Sequence, residues 1–271
     1  MLSSSSTLRV AFITDIHLGG LIECRPGEEA MGLLASFVST INNCLHPDIV
    51  IEMGDRVNNF DSSADLKNLK TVVTLLGGLH VPRFSIFGNH DVHYLGKNET
   101  MRILGIPSPY YSKIVNGFKL IFMDTTDPVV DECGGMVSKK QLNWLDNEVT
   151  CDDLPKIVIG HHPIAIQNQN GNPFFVHLPG QQYVSNWNEV QTILRKGKKV
   201  IAYFNGHVHW FYSQKINGIS FFSMSSLLES WPEKSHAPGN FGFAIVKSDG
   251  HLDISYHSLA PARVLGRVEQ N

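Results

Sequence analysis

Apolar residues along the chain follow two rhythms that alternate. Short unbroken runs, Leu8 to Thr14, Ile49 to Met53 and Pro82 to Phe87, read as buried strands. Between them the apolar positions recur at three- and four-residue steps. Met31, Leu34, Val38, Ile41 and Leu45 do so within Glu28 to Leu45, and Leu66, Leu69, Val73 and Leu76 within Ser62 to Leu76. That spacing predicts two helices, and the strand-helix order implies parallel pairing through right-handed crossovers.

The second half changes character. Tyr110 to Val115 and Lys119 to Asp124 flank Asn116-Gly117, a hairpin signal repeated at Asn217-Gly218 and Asp249-Gly250. Ser138 with Gln141 forms a capping box ahead of Leu142, Leu145 and Val149, and Asn186 with Glu189 starts another helix. Lys156 to Ile159 and Val200 to Phe204 are further strands. The expected architecture is α/β, with two mixed sheets packed face to face and helices outside each. Residues 1–260 are expected to form one domain, and the polar tail from Pro261, residues 261–271, is expected to fray.

Composition adds bounds. With 271 residues, 42% of them hydrophobic and 17% charged, the chain can bury one large core. The formal charge of -3 and a single basic cluster, Arg195-Lys196 with Lys198-Lys199, offer no face for nucleic acid. That cluster reads as a solvated helix end. Cys24, Cys44, Cys133 and Cys151 form no Cys-x-x-Cys pair and are expected as reduced thiols. No stretch approaches the ~20 apolar residues of a spanning helix, and Met1 to Thr7 lacks a basic leader. A cytoplasmic protein without a membrane partner is expected.

Chemistry concentrates where strands end. Five apolar runs lead into turns carrying metal-type ligands: Asp15-x-His17, Gly54-Asp55, Gly88-Asn89-His90-Asp91, Gly160-His161 and Gly206-His207-x-His209. Strand ends of parallel sheets gather ligands on one rim. Residues two apart on an extended or turning backbone point the same way, so Asp15 with His17, and His207 with His209, can each chelate. Singly, each is read as a turn residue or cap; together, Asp15, His17, Asp55, Asn89, His161, His207 and His209 are more ligands than one ion needs. Two ions about 3.5–4 Å apart, bridged by one carboxylate, would use them all. The mixture of oxygen and imidazole donors suits manganese, iron or zinc. Asp91 is placed to hydrogen-bond His90 and fix its imidazole. His93 and His162 each neighbour a cluster and read as intermediate between site and turn residues. His46, His80, His177, His236, His251 and His257 read as surface or turn residues.

The ordered set resembles the calcineurin-like metallophosphoesterases across roughly the first 210 residues. The resemblance implies a four-layer α/β/β/α sandwich with a di-metal centre. Asp15, His17 and His209 would hold one ion, Asn89, His161 and His207 the other, and Asp55 would bridge them. It also implies a hydroxide between the ions as nucleophile, with His90 contacting the phosphate and protonating the leaving group, and Asp91 orienting it. Asn58 stands where purple acid phosphatases have a ligand tyrosine, and Arg56-Val57-Asn58-Asn59 departs from the protein Ser/Thr phosphatases. The small bacterial class III branch, acting on cyclic nucleotides and glycerophosphodiesters, is most similar. Arg56 replaces an apolar residue and is expected to pair with a surface carboxylate. A small phosphodiester is the expected substrate and phosphomonoester hydrolysis the alternative, with a nuclease or an inactive scaffold further off and a homodimer left open. The segment Ile164 to Ser185, with Gln167, Asn168, Asn170, Phe174, Phe175, His177 and Tyr183, forms either a cleft wall or a surface loop.

Overall fold

The apolar runs escape water by pairing into two sheets laid face to face, as the computed structural model of the chain describes for residues 6–22, 24–229, 231, 236–260 and 262–270. The first half comprises β1 (Thr7–Ile13), a small ribbon of β2 (Leu21–Ile22) and β3 (Arg25–Pro26), α1 (Ala30–Thr40), β4 (Ile49–Glu52), α2 (Ser62–Leu76), β5 (Arg83–Ser85), α3 (Asn89–His93) and α4 (Gly96–Leu104). The second half comprises β6 (Tyr111–Val115), β7 (Phe118–Phe122), α5 (Lys139–Thr150), β8 (Lys156–Ile159), α6 (Trp187–Lys196), β9 (Val200–Asn205), β10 (Tyr212–Ile216), β11 (Ile219–Ser223), β12 (Asn240–Lys247), β13 (Leu252–Leu259) and β14 (Ala262–Gln270).

One sheet has the order β14-β13-β12-β1-β4-β5, with β1, β4 and β5 parallel and the other neighbours antiparallel. The other has the order β10-β11-β9-β8-β7-β6, parallel from β11 to β7 with an antiparallel hairpin at each edge. The hairpin turns match their sequence signal. Asn116 and Gly117 stand at φ 48° and 81°, and Asn217 and Gly218 at 52° and 82°, the left-handed pair that a two-residue turn requires.

The period of two along each strand sorts side chains into layers. Val10 and Phe12 of β1 face the second sheet, and Phe12 stacks on Phe204 of β9 with ring centroids 4.4 Å apart. Ala11 and Ile13 face the other way, against Leu34 and Phe37 of α1 and Val72 and Leu76 of α2. On the far side, Val158 and Tyr203 pack against Leu142 and Leu145 of α5 and Val190 and Leu194 of α6. Each fully buried Leu, Ile or Phe contributes roughly 1.5–3 kcal/mol. This is the α/β/β/α sandwich expected from the pattern.

Helix α2 matches its expected span; the Asp61 side chain accepts from the amides of Ser63 and Ala64, a proper N-cap. The other expected helix is broken up. A 3-10 turn, Gly27–Glu29, precedes α1, and Ile41–Leu45 winds as a wider π turn closed by His46 at φ 46°. Of the tail expected to fray, residues 261 and 271 lie outside the described residues and the others do not fray: they form β14, antiparallel to β13 from Leu252 opposite Gln270 to Leu259 opposite Ala262. Arg267 pairs with Asp253 across the strands and Val268 packs on the inter-sheet core. The polar composition suits an edge strand as well as a loose end. Among the described residues, no helix is long and apolar enough to cross a membrane.

Candidate metal centre

The turns leaving β1, β4, β5, β8 and β9 meet, and their seven side chains converge. Asp15, His17 and His209 form one group whose ligand atoms lie within 4.8 Å of one another, and Asp55, His161 and His207 form another. Asn89 Oδ1 joins the second group, 3.2 Å from His161 Nε2 and 3.1 Å from His207 Nδ1. Asp55 Oδ2 stands between the groups, 3.2 Å from His161 Nε2 and 3.9 Å from His17 Nε2.

Groups behind the imidazoles decide which nitrogen faces inward. His161 Nδ1 meets the Met53 carbonyl at 2.8 Å, and His209 Nδ1 meets Glu229 Oε2 at 3.1 Å, so both present Nε2. His207 is turned round: its Nε2 meets the Gln181 carbonyl at 3.0 Å and Nδ1 faces Asn89. Such partners set tautomer and orientation in metal-bound histidines. The inward faces then present acceptors to acceptors. His161 Nε2 confronts Asp55 Oδ2 and Asn89 Oδ1, and His207 Nδ1 confronts Asn89 Oδ1 as well. Only a shared proton or a cation satisfies that arrangement, so the donor set fits two ions.

The backbone is bent to the same end. Asp15, His17, Asp55, His207 and His209 all have positive φ, between 45° and 69°. Left-handed backbone at non-glycine residues costs about 1–3 kcal/mol each and gathers at functional sites. Two glycines are needed for the close approach. A Cβ on Gly88 would lie 2.0 Å from Asp55 Oδ1, and one on Gly206 would lie 2.1 Å from Thr14 Oγ1.

Electrostatics follow from the packing. Burial opposes the charge on Asp55, but the imidazoles of His161 and His90 outweigh it and hold its pKa well below the ordinary carboxylate range. Asp15 is lowered likewise, against its burial, by His209 and His161. Burial acts to lower His161 and His209, yet Asp55 and Asp15 respectively push each up to about 9. Burial brings His207 down to about 3 and His90 to about 4.

Two expected roles are corrected here. Asp91 does not hold the His90 imidazole. Its carboxylate accepts from the backbone amides of Gly88, Asp55 and Arg56 at 2.8–3.0 Å and from Arg56 Nη1 at 2.5 Å. Among the described residues, His90 Nδ1 has no hydrogen-bond partner. Asp91 thus staples the turn after β5 to the turn after β4, because three amides and a guanidinium outcompete one imidazole. Nor does Arg56 reach a surface carboxylate. It is fully buried, paired with Glu52 and Asp91, and its Nη2 donates to the Ile86 carbonyl at 2.9 Å. His162, adjoining the centre, spends both nitrogens on Thr125 Oγ1 and the Cys133 carbonyl, each at 2.8 Å. Asn186 precedes α6, but its amide bridges to the backbone of Val137 rather than capping.

A cleft of about 420 Å³ opens over the centre, lined by Asp55, Asn89, His90, His207 and His209. Pro173, Phe174, Phe175, His177 and Leu178 form one side, so the segment Ile164 to Ser185 supplies a cleft wall. Arg25, Asn59, His93, Glu132 and Cys133 complete it. Sequence reasoning did not single out Glu229, Arg25 or the Gln181 carbonyl. None lies in a spaced motif, and only the tertiary fold brings them to the site.

A family profile described as calcineurin-like phosphoesterase matches residues 8–211. A probable cyclic nucleotide phosphodiesterase of a Synechococcus strain is 28% identical over 159 residues, 58% of each chain. The match therefore spans a little over half of that relative. A probable cyclic nucleotide phosphodiesterase of Fibrobacter succinogenes is 25% identical over 211 residues, 74% of this chain and 73% of the other. Among solved structures, a dimetal phosphatase from Danio rerio superposes with a TM-score of 0.75 at 16% identity, covering 97% of this chain and 98% of that one.

Proposed function

The chain belongs to the calcineurin-like phosphoesterase family, and we propose that it is a hydrolase that uses two metal ions to cleave a small phosphodiester. The observation that carries this reading is the position of Asp55 Oδ2 between two groups of inward-facing ligand atoms. The names of the two bacterial relatives favour a diester, with cyclic nucleotides the first class to try.

Asp15, His17 and His209 would hold one ion, Asn89, His161 and His207 the other, with Asp55 shared. The mixed donors suit manganese, iron or zinc. Bound there, the ions would neutralise charge on the phosphoryl oxygens and acidify water. The chain's own residues do the rest. Met53, Glu229 and Gln181 hold the imidazoles in register. His90 lines the cleft with its Nε2 4.0 Å from Asp55 Oδ2 and its side chain 18% exposed. Burial keeps it neutral without substrate. An anionic phosphoryl group beside it favours the protonated form, from which it donates to the leaving oxygen.

The test is a panel assay on manganese-loaded protein with bis(p-nitrophenyl) phosphate, p-nitrophenyl phosphate, 2′,3′- and 3′,5′-cyclic nucleotides and glycerophosphodiesters. Chelator-sensitive hydrolysis of diesters is expected. Hydrolysis of p-nitrophenyl phosphate alone would move the reading to a phosphomonoesterase, and no hydrolysis at all would overturn it.

A further inference from the structure

One wall of the cleft is mounted on a single ligand turn. Asn172, fully buried, donates from Nδ2 to the Val208 carbonyl at 3.0 Å, between the candidate ligands His207 and His209. Phe174 then lies against the His209 imidazole and Phe175 against that of His207, each with ring centroids 5.0 Å apart. At the other end of the stretch, the Gln181 carbonyl meets His207 Nε2 at 3.0 Å. Among the described residues, the backbone of 173–180 hydrogen-bonds only within 172–181. Gly171 and Gly180 flank it at φ 82° and 86°, a conformation that suits glycine. The stretch is therefore fastened at its two ends and rests on the centre through its rings.

Gln181 makes one end a latch. Its Oε1 accepts from the amides of Glu132 and Cys133 at 3.2 and 3.0 Å and from the Cys133 thiol at 3.4 Å. The Cys133 carbonyl in turn meets Nε2 of His162, whose ring centroid lies 4.2 Å from that of His207. A neutral imidazole carries one N–H. With the Gln181 carbonyl at Nε2, the N–H of His207 points outward and the lone pair of Nδ1 stays toward Asn89. If the stretch lifts, the ring loses the acceptor that sets its tautomer. His209 is fixed differently, by Glu229 from outside the stretch. Of the two ion positions, the one among Asn89, His161 and His207 is therefore tied to this wall.

We propose that residues 173–180 form a flap over the cleft, latched by the Gln181 side chain and seated by the ion held among Asn89, His161 and His207. This rests on the two-ion reading above. Gln181 touches neither ion nor substrate; it acts through His207 and is a positioning residue. Coupling of this kind is reciprocal: a seated flap tightens that ion, and the ion holds the flap down by the same factor. Filling of the second position and closure of the cleft wall are then one event.

Two measurements on the full chain test it. The first is limited proteolysis by chymotrypsin, with Phe174 and Phe175 as the sites; where reclosing is fast, its rate follows the open population. Saturating manganese should slow cleavage of the wild type there about tenfold or more, the scale on which partners behind a metal-bound histidine act. The second is calorimetry, which gives two manganese dissociation constants. Anomalous peaks from crystals soaked at limiting manganese show which position each belongs to. Q181L keeps the bulk of the side chain and removes its acceptor. It should weaken the ion among Asn89, His161 and His207 about tenfold and leave the one among Asp15, His17 and His209 within about twofold. It should also lose most of the protection that manganese gives the flap. Q181E, which keeps the acceptor, should restore both, and a merely structural role would not produce that rescue. Wild-type cleavage indifferent to manganese, equal weakening of both ions in Q181L, or no change in Q181L overturns the proposal and leaves the two-ion reading standing. A wild type that holds no manganese sinks both.

Discussion

His161 and His209 each turn one nitrogen to a partner behind, the Met53 carbonyl or Glu229, and the other to an aspartate in front. With no cation present, Asp55 and Asp15 overcome burial and keep a proton on these rings up to a pH of about 9. A metal ion competes with that proton for the same electron pair. Loading at pH 7 should therefore release about one proton per ring, and affinity should tighten by up to about tenfold per pH unit per proton toward pH 9. The sign for the metal-free fold is opposite. Both values are raised above the ordinary 6.5, so their stabilising contribution is complete below that pH and is lost as pH rises through about 9. Calorimetric titration with manganese in buffers of different ionisation enthalpy checks this; an affinity unchanged between pH 7 and 9 would contradict it. The seven candidate ligands, whose convergence the fold shows, stood out in the sequence because each sits at a strand end with a glycine or a second candidate beside it. Glu229 did not, since a lone glutamate after an apolar pair has no spacing that marks it.

At the level of elements, the turns after β4 and β5 are held as one piece. Asp91 gathers the amides of Gly88, Asp55 and Arg56, and Arg56 in turn joins Asp91 to Glu52, whose other oxygen accepts from Ser85 Oγ at 2.9 Å. This buried network sets the left-handed backbone of Asp55. Removing one member of a buried ion pair strands its partners, at about 3–5 kcal/mol. Arg56→Met should lose stability on that scale in denaturant titrations and should weaken metal binding, though it touches no ligand atom. Wild-type stability and full metal content in that variant would contradict the role. The sequence made the turn visible but not its wiring. Gly88-Asn89-His90-Asp91 announces a ligand turn, whereas Asp91's partners depend on two strands lying side by side. Arg56 read as a surface residue because charge in a sequence usually means exposure. Helix α3, at five residues, is too short to show a 3.6-residue period. The polar edge strand β14 has the composition of a loose tail, and pairing with β13 is what makes it a strand.

Across the whole molecule, two faced sheets bring five strand ends to one place and keep them there. Five of the candidate ligands hold left-handed backbone, a cost of about 1–3 kcal/mol each that the inter-sheet core must offset. That architecture was legible from the alternation of strand and helix in the first half and the Asn-Gly hairpins in the second. The cleft was only half legible: aromatic residues between His161 and His207 suggested a wall, but nothing in the sequence placed Arg25 against Phe174. Everything proposed for the centre depends on the seven side chains holding two ions. Anomalous diffraction from crystals of the manganese-loaded protein, beside elemental analysis of the same preparation, measures this directly. Two peaks per chain are expected, one among Asp15, His17 and His209 and one among Asn89, His161 and His207, with Asp55 reaching both, and Asp55→Ala should retain neither. No peak at these side chains, or two fully occupied peaks in Asp55→Ala, would contradict it.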